Sequence, residues 1–210
     1  TASHNPPSYN GFKIKAHYGG PAIQSEIDAV ENAIPDEYQI DIRPFADLIQ
    51  DSNVVLIDME QEYIDHVNDN FDMDAIRNSG LKFGYDAMYG AGQNVVRRLL
   101  PDAFLMHADY NPSFMGQAPE PIARNLMPFA GEIQKQGLAS GLATDGDADR
   151  IGLFDENGDF VDSHHIILLL IRYLVEFKDL GGNVYTSFSC TSKIKNLCNH
   201  YGIPHNVTKI

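Results

Sequence analysis

The chain has 210 residues, enough for one large or two modest domains with cores of their own. Fifteen Lys and Arg against 29 Asp and Glu give a formal net charge of −14, which argues against a nucleic-acid partner because phosphate-backbone binding rests on clustered cations. A small phosphorylated ligand is not excluded, since a few local cations or a metal are enough to hold one. The two cysteines, Cys190 and Cys198, fit neither a disulfide framework nor a zinc spacing, so a reducing, cytoplasmic setting is expected. No apolar run reaches transmembrane length, the nearest, Ile166 to Val175, being interrupted by Arg172, and no membrane partner is expected. The chain opens Thr1-Ala2-Ser3 and stops at Thr208-Lys209-Ile210 just after a strand-like run, so it reads as a segment of a longer protein.

A Gly-, Pro- and Asn-rich stretch, Ser3 to Pro21, reads as loop around one short strand, Phe12 to Ala16. Ser25 then caps a helix with Ile27, Val30 and Ile34 on one face, closed by Pro35. A strand-like run, Asn53 to Asp58, precedes a helical pattern through Tyr63, Ile64 and Val67. Beyond Gly80 strands and helices alternate: strand Leu81–Asp86, helix Asn94–Leu100, strand Ala103–His107, loop Asn111–Pro121, helix Ile122–Gln136, strand Leu138–Thr144. Asp155-Glu156-Asn157-Gly158 signals a hairpin between Ile151–Phe154 and Phe160–Val161. Ser163 caps a helix to about Lys178, and strand Val184–Phe188, helix Ser192–Tyr201 and strand Pro204–Thr208 follow. Strands separated by helices of this length imply βαβ units and an α/β fold with a mainly parallel sheet.

The most chemical stretch is Thr144-Asp145-Gly146-Asp147-Ala148-Asp149-Arg150. On an extended loop alternate residues point the same way, so Asp145, Asp147 and Asp149 can converge. Three anions that close repel one another unless a cation sits between them, and oxygen-only ligands favour Mg²⁺ or Ca²⁺ over zinc. An acidic surface turn is the bland alternative. An EF-hand loop is the sharper one: its first, third, fifth and twelfth positions fit, but Arg150 stands where that loop requires Gly, and the flanks read as strands.

Thr1-Ala2-Ser3-His4-Asn5-Pro6-Pro7 presents a serine beside a histidine on a proline-stiffened loop, followed by an Asn10-Gly11 turn and Lys13. Adjacent residues rarely face each other, so Ser3-His4 is not by itself a catalytic pair.

Taken together, Thr1-Ala2-Ser3-His4-Asn5-Pro6, Asn10-Gly11-Phe12-Lys13 and Asp145-Gly146-Asp147-Ala148-Asp149-Arg150 resemble the serine signature, its continuation and the metal loop of the α-D-phosphohexomutases. Asp86-Ala87-Met88-Tyr89-Gly90-Ala91-Gly92 and Pro119-Glu120-Pro121 resemble further pieces of that family. The resemblance implies a four-domain parent of consecutive three-layer α/β/α domains with mixed, mainly parallel sheets. Residues 1–57 would be the end of domain one, 58–161 a complete domain two and 162–210 the start of domain three. The family's sugar-recognition loop and phosphate-binding fourth domain would lie outside this chain, so the segment alone is expected to be inactive.

The resemblance further implies an enzyme that interconverts hexose 1-phosphate and hexose 6-phosphate through a phosphoserine at Ser3 and a hexose 1,6-bisphosphate, which is also its activator. Mg²⁺ would be held by Asp145, Asp147, Asp149 and the phosphorylated Ser3, with Lys13, Arg150 and His4 as catalytic groups around the phosphoryl. The partner is then a phosphorylated hexose, and self-association of the segment through uncovered apolar surface is expected. A non-catalytic metal- or ligand-binding α/β module is the alternative. Gly90-Ala91-Gly92-Gln93-Asn94-Val95 imitates a dinucleotide fingerprint, but Val95 stands at its final glycine and it reads as a strand-to-helix turn. His164-His165 reads as polarity near a helix cap, and Cys190 as a small buried residue.

Overall fold

The structure, a computed structural model, describes residues 8, 11–37 and 42–209. In the first segment the run around Phe12 to Ala16 has only one antiparallel bridge, Lys15 to Pro21, and forms no strand. Helix α1, Gln24–Asn32, starts at Ile23 rather than Ser25. The Glu26 carboxylate accepts the Ile23 N–H at 3.0 Å, so the free donor is met by an acid of the first turn and Ser25 falls inside the helix. A short helix α2, Phe45–Gln50, follows, and Asn53 to Asp58 joins no sheet. A strand-like run becomes a strand only with a neighbour to bond. Asp58 instead caps α3, Met59–Asn70, accepting the Gln61 N–H at 2.9 Å, and Asp72 caps α4, Met73–Arg77.

The central unit then builds in chain order: β1 Phe83–Asp86, α5 Gln93–Leu99, β2 Phe104–Met106, α6 Met127–Gln136, β3 Ser140–Thr144, β4 Ile151–Phe154 and β5 Phe160–Val161. The strands form one sheet in the order β2-β1-β3-β4-β5. The first two pairings are parallel and the last two antiparallel, a mixed α/β sheet. The helix expected from Ile122 is split into a 3₁₀ turn, Ala123–Asn125, and α6. Pro128 sits in the first turn of α6, where its missing N–H costs nothing.

Side chains alternate across the sheet and bind a helix layer to each face. On one face Phe129 and Ile133 of α6, both fully buried, pack with Ala143 and Phe154. Phe129 and Phe154 meet edge to face at 5.8 Å. On the other face Tyr85, Leu105 and Leu142 pack against Val96 of α5. Helix α3 covers α5 in turn, with Ile64 and Val67 against Leu99 and Met73. Three layers result, and every parallel strand delivers its carboxyl end to the same edge.

A smaller unit follows: α7 Ser163–Arg172, continued by a π-turn Tyr173–Phe177, then β6 Val184–Ser187, α8 Lys193–Tyr201 and β7 His205–Thr208, with β6 and β7 parallel. Its core is Ile171, Ile194 and Cys198. The α7 cap is Asp162, not Ser163: its Oδ1 accepts the His165 N–H at 2.9 Å. That bond, then the His165 ring beside it, holds the Asp162 carboxyl below its ordinary range. A depressed folded-state pKa contributes stability above the unfolded value and loses it as pH falls through the folded one. Asp162→Ala therefore lowers the melting temperature at neutral pH, and thermal scans show the gap to wild type closing in acid. A gap that persists in strong acid would contradict this account of the cap.

Candidate metal centre

Thr144 and Ile151 are paired residues of the antiparallel strands β3 and β4, so loop 145–150 is the turn that joins them at the sheet's carboxyl edge. Asp145 is fully buried there. Its Oδ1 accepts the backbone N–H groups of Asp149 and Arg150, both at 3.0 Å, and its carbonyl accepts the Ala148 N–H at 3.1 Å. Ala148 closes the curl with a left-handed backbone, φ 59°. The carboxylates therefore converge because the chain wraps around the side chain of Asp145, and not by the alternation of an extended loop. The small Gly146 and Ala148 leave room for that wrap.

One oxygen from each of Asp145, Asp147 and Asp149 lies within 4.8 Å of the others. Asp147 Oδ1 is buried with no hydrogen-bond partner, while its Oδ2 stands 3.6 Å from Lys13 Nζ. A buried acceptor without a donor, among oxygen-only ligands, is the chemistry that a hard divalent cation satisfies. The residues present thus fit a metal of the Mg²⁺ type. The Lys13–Asp147 pair is solvated, with side chains 58% and 32% exposed, and an ion pair of that kind contributes about 0–1 kcal/mol. Lys13 offsets part of the charge without filling the site.

The loop is braced from the sheet. Tyr85 OH and Thr144 Oγ1 are 2.6 Å apart directly beneath it, and burial raises the Tyr85 pKa, keeping the phenol neutral. Beside the loop a cavity of about 420 Å³ opens among Met59, Glu60, Tyr63, Thr144, Asp147 and Ala148.

Of the residues singled out in the sequence, the structure brings Asp145, Asp147, Asp149 and Lys13 together. Arg150 joins through its backbone N–H, and its exposed guanidinium makes no ion pair among the described residues. Ser3 and His4 lie outside the described residues. The flanking strands exclude an EF-hand, whose loop sits between helices. Ala87–Gly92 is the turn between β1 and α5. His165 hydrogen-bonds the cap Asp162, and His164 Nδ1 accepts the Thr191 N–H at 3.3 Å, so neither gathers metal ligands. Cys190 is half-buried, against the expectation of a buried residue, while Cys198 is buried. A pair that sequence reasoning missed is Asp86 with His107: Nδ1 lies 3.0 Å from both carboxylate oxygens. They are 21 positions apart, Asp86 at the end of β1 and His107 just past the end of the neighbouring β2, and no local spacing announces them.

Fold and site together define a three-layer α/β protein with a turn of three converging aspartates at the carboxyl edge of its sheet. Two family models match: "Phosphoglucomutase/phosphomannomutase, alpha/beta/alpha domain I" over residues 1–41 and "alpha/beta/alpha domain II" over residues 61–158. The chain belongs to the phosphoglucomutase/phosphomannomutase family. It is 30% identical over 204 residues to a phosphopentomutase of Thermococcus kodakarensis, covering 92% of this chain and 42% of that one. A phosphoglucomutase/phosphomannomutase of the same organism is 26% identical over 217 residues, covering 100% and 46%. Among solved structures, a Thermus thermophilus protein provisionally called a phosphomannomutase superposes with a TM-score of 0.83 at 28% identity, covering 100% of this chain and 47% of its own. The chain thus spans less than half the length of these relatives.

Replacing a carboxylate of the turn should remove most divalent-cation affinity. In Asp147→Asn, Mn²⁺ binding followed by calorimetry is expected to weaken by about tenfold or more. Unchanged affinity would mean that the cluster is only an acidic surface turn.

Proposed function

We propose that this chain is the serine- and metal-bearing part of a phosphohexomutase that interconverts hexose 1-phosphate and hexose 6-phosphate. The observation that carries the reading is the meeting of Lys13, from the segment that holds Ser3, with the turn of Asp145, Asp147 and Asp149. The family spans 1–41 and 61–158 support a division into the end of domain one (1–57), domain two (58–161) and the start of domain three (162–210). For this segment in isolation, its share of the relatives' length favours a second reading, a metal-binding module that does not turn over.

In the whole enzyme Ser3 Oγ carries a phosphoryl group and gives it to the free hydroxyl of a hexose monophosphate. The Ser3 O–P bond breaks as the sugar O–P bond forms, giving a hexose 1,6-bisphosphate. The intermediate turns over, and Ser3 takes back the other phosphate. Asp145, Asp147 and Asp149, with a phosphoryl oxygen on Ser3, would hold Mg²⁺, which supplies Lewis-acid neutralisation of phosphoryl charge. Lys13 stabilises charge that develops on the moving group and can shuttle the hydroxyl proton. Arg150, exposed at the end of the turn, would pair with phosphate, and His4 would contact the phosphoserine or substrate.

The relatives' names span pentose, glucosamine, glucose and mannose phosphates, so the hexose itself is a matter for assay. Hexose 1,6-bisphosphate is the expected activator. No helix among the described residues is long and apolar enough to cross a membrane. The acidic charge and unpaired cysteines support the reading of a cytoplasmic enzyme without a nucleic-acid partner.

The test is made on the full-length parent with Mg²⁺ and a trace of glucose 1,6-bisphosphate, following glucose 1-phosphate and mannose 1-phosphate in parallel. Ser3→Ala should lower turnover by several orders of magnitude, as loss of a covalent nucleophile does. A Ser3→Ala enzyme as fast as wild type would overturn the phosphoserine mechanism. The segment itself exposes Leu169, Leu170, Tyr173, Phe177, Tyr185 and Phe188 around α7 and β6, apolar surface that supports self-association. Light scattering should show its mass rising with concentration, and a constant monomer mass would refute this.

A further inference from the structure

Asp86 and His107 stand on the other side of the β1–α5 turn from the aspartate loop, yet an unbroken run of contacts joins them to it. Asp86, only 2% exposed, accepts the Met88 N–H on Oδ1 at 2.8 Å and faces His107 Nδ1 at 3.0 Å. The His107 carbonyl accepts the Tyr89 N–H at 2.8 Å, and the two rings pack with centroids 4.8 Å apart. Met88, Tyr89 and His107 all hold left-handed backbones, with φ of 45°, 60° and 46°. Non-glycine residues keep such conformations only when their surroundings impose them. Here the buried carboxylate takes the Met88 N–H, the His107 carbonyl takes the Tyr89 N–H, and the imidazole ties that carboxylate to His107.

The strained turn brings Gly90 flat against the aspartate loop. A Cβ at Gly90 would lie 2.7 Å from the Asp145 carbonyl oxygen and 2.9 Å from that of Gly146. Ala91 N–H donates to the Gly146 carbonyl at 3.0 Å. The backbone at Asp145 and just after it therefore rests on this turn.

We propose that Asp86 and His107 are positioning residues for the metal centre, holding the 87–91 turn in the shape that braces Asp145 and Gly146, and so setting divalent-cation affinity without supplying a ligand. The inference rests on the metal-binding reading above. Outer groups that orient metal ligands commonly change affinity by about 10–100-fold when removed.

The experiment titrates Mn²⁺ into the 210-residue chain by calorimetry, with circular dichroism and metal-free melting to establish that each variant is folded. Gly90→Ala, which pushes on the two carbonyls, and His107→Phe, which keeps the ring stack but loses the Nδ1 contact, should each raise the Mn²⁺ Kd about tenfold or more. His107→Asn, which tolerates a left-handed backbone and restores an amide donor, should recover most of the affinity. Folded Gly90→Ala and His107→Phe proteins with the wild-type Kd would overturn the proposal, whatever their loss of stability. Should Gly90→Ala not fold, His107→Phe and Asp86→Asn carry the same comparison. Wild-type protein that binds no Mn²⁺ would instead overturn the metal reading on which the proposal stands.

Discussion

At the carboxyl edge of the sheet, oxygens of Asp145, Asp147 and Asp149 are held within 4.8 Å of one another, one of the carboxylates being fully buried. Like charges so placed repel, and burial strengthens the repulsion by removing water. The arrangement stands because the backbone supplies donors: Asp149 and Arg150 N–H to Asp145 Oδ1. What the backbone leaves unmet, Asp147 Oδ1 above all, is the opening for a cation.

The rest of the central domain makes that turn possible. β3 and β4 are antiparallel, so their connection can be a tight curl, while β1 and β3 are parallel, so the β1–α5 turn arrives at the same edge and supports the curl from behind. Helix α6 packs Phe129 and Ile133 closely enough on the sheet that a Cβ at Gly141 would press on both side chains. Tyr85 and Thr144 tie β1 to β3 directly under the loop. Rigid packing below and a backbone-lined turn above are the combination that positions ligands more precisely than a free loop does.

Much of this was legible in the residues. The alternation of strand and helix beyond Gly80 and the hairpin at Asn157-Gly158 follow from periodicity and turn chemistry, and the hairpin glycine has φ 75°. The convergence of the aspartate triplet was legible because three carboxylates at alternate positions lie so close in sequence. Its shape was not: the curl depends on Asp145 accepting backbone donors four and five residues on, which no composition rule predicts. Caps at Ile23 and Asp162 were misplaced because several polar residues sit near each helix start and only geometry selects among them. Asn53 to Asp58 has the apolar character of a strand but finds no partner. Asp86 and His107 meet through the strand order, a long-range property that a linear reading does not reach. The serine loop was singled out only through its resemblance to a family, and Ser3 lies outside the described residues.

The most direct measurement is anomalous diffraction from crystals of the chain grown with Mn²⁺. A single strong peak within coordination distance of Asp145, Asp147 and Asp149 is the result this account predicts. No peak at the turn, with the cation bound elsewhere or not at all, would contradict it.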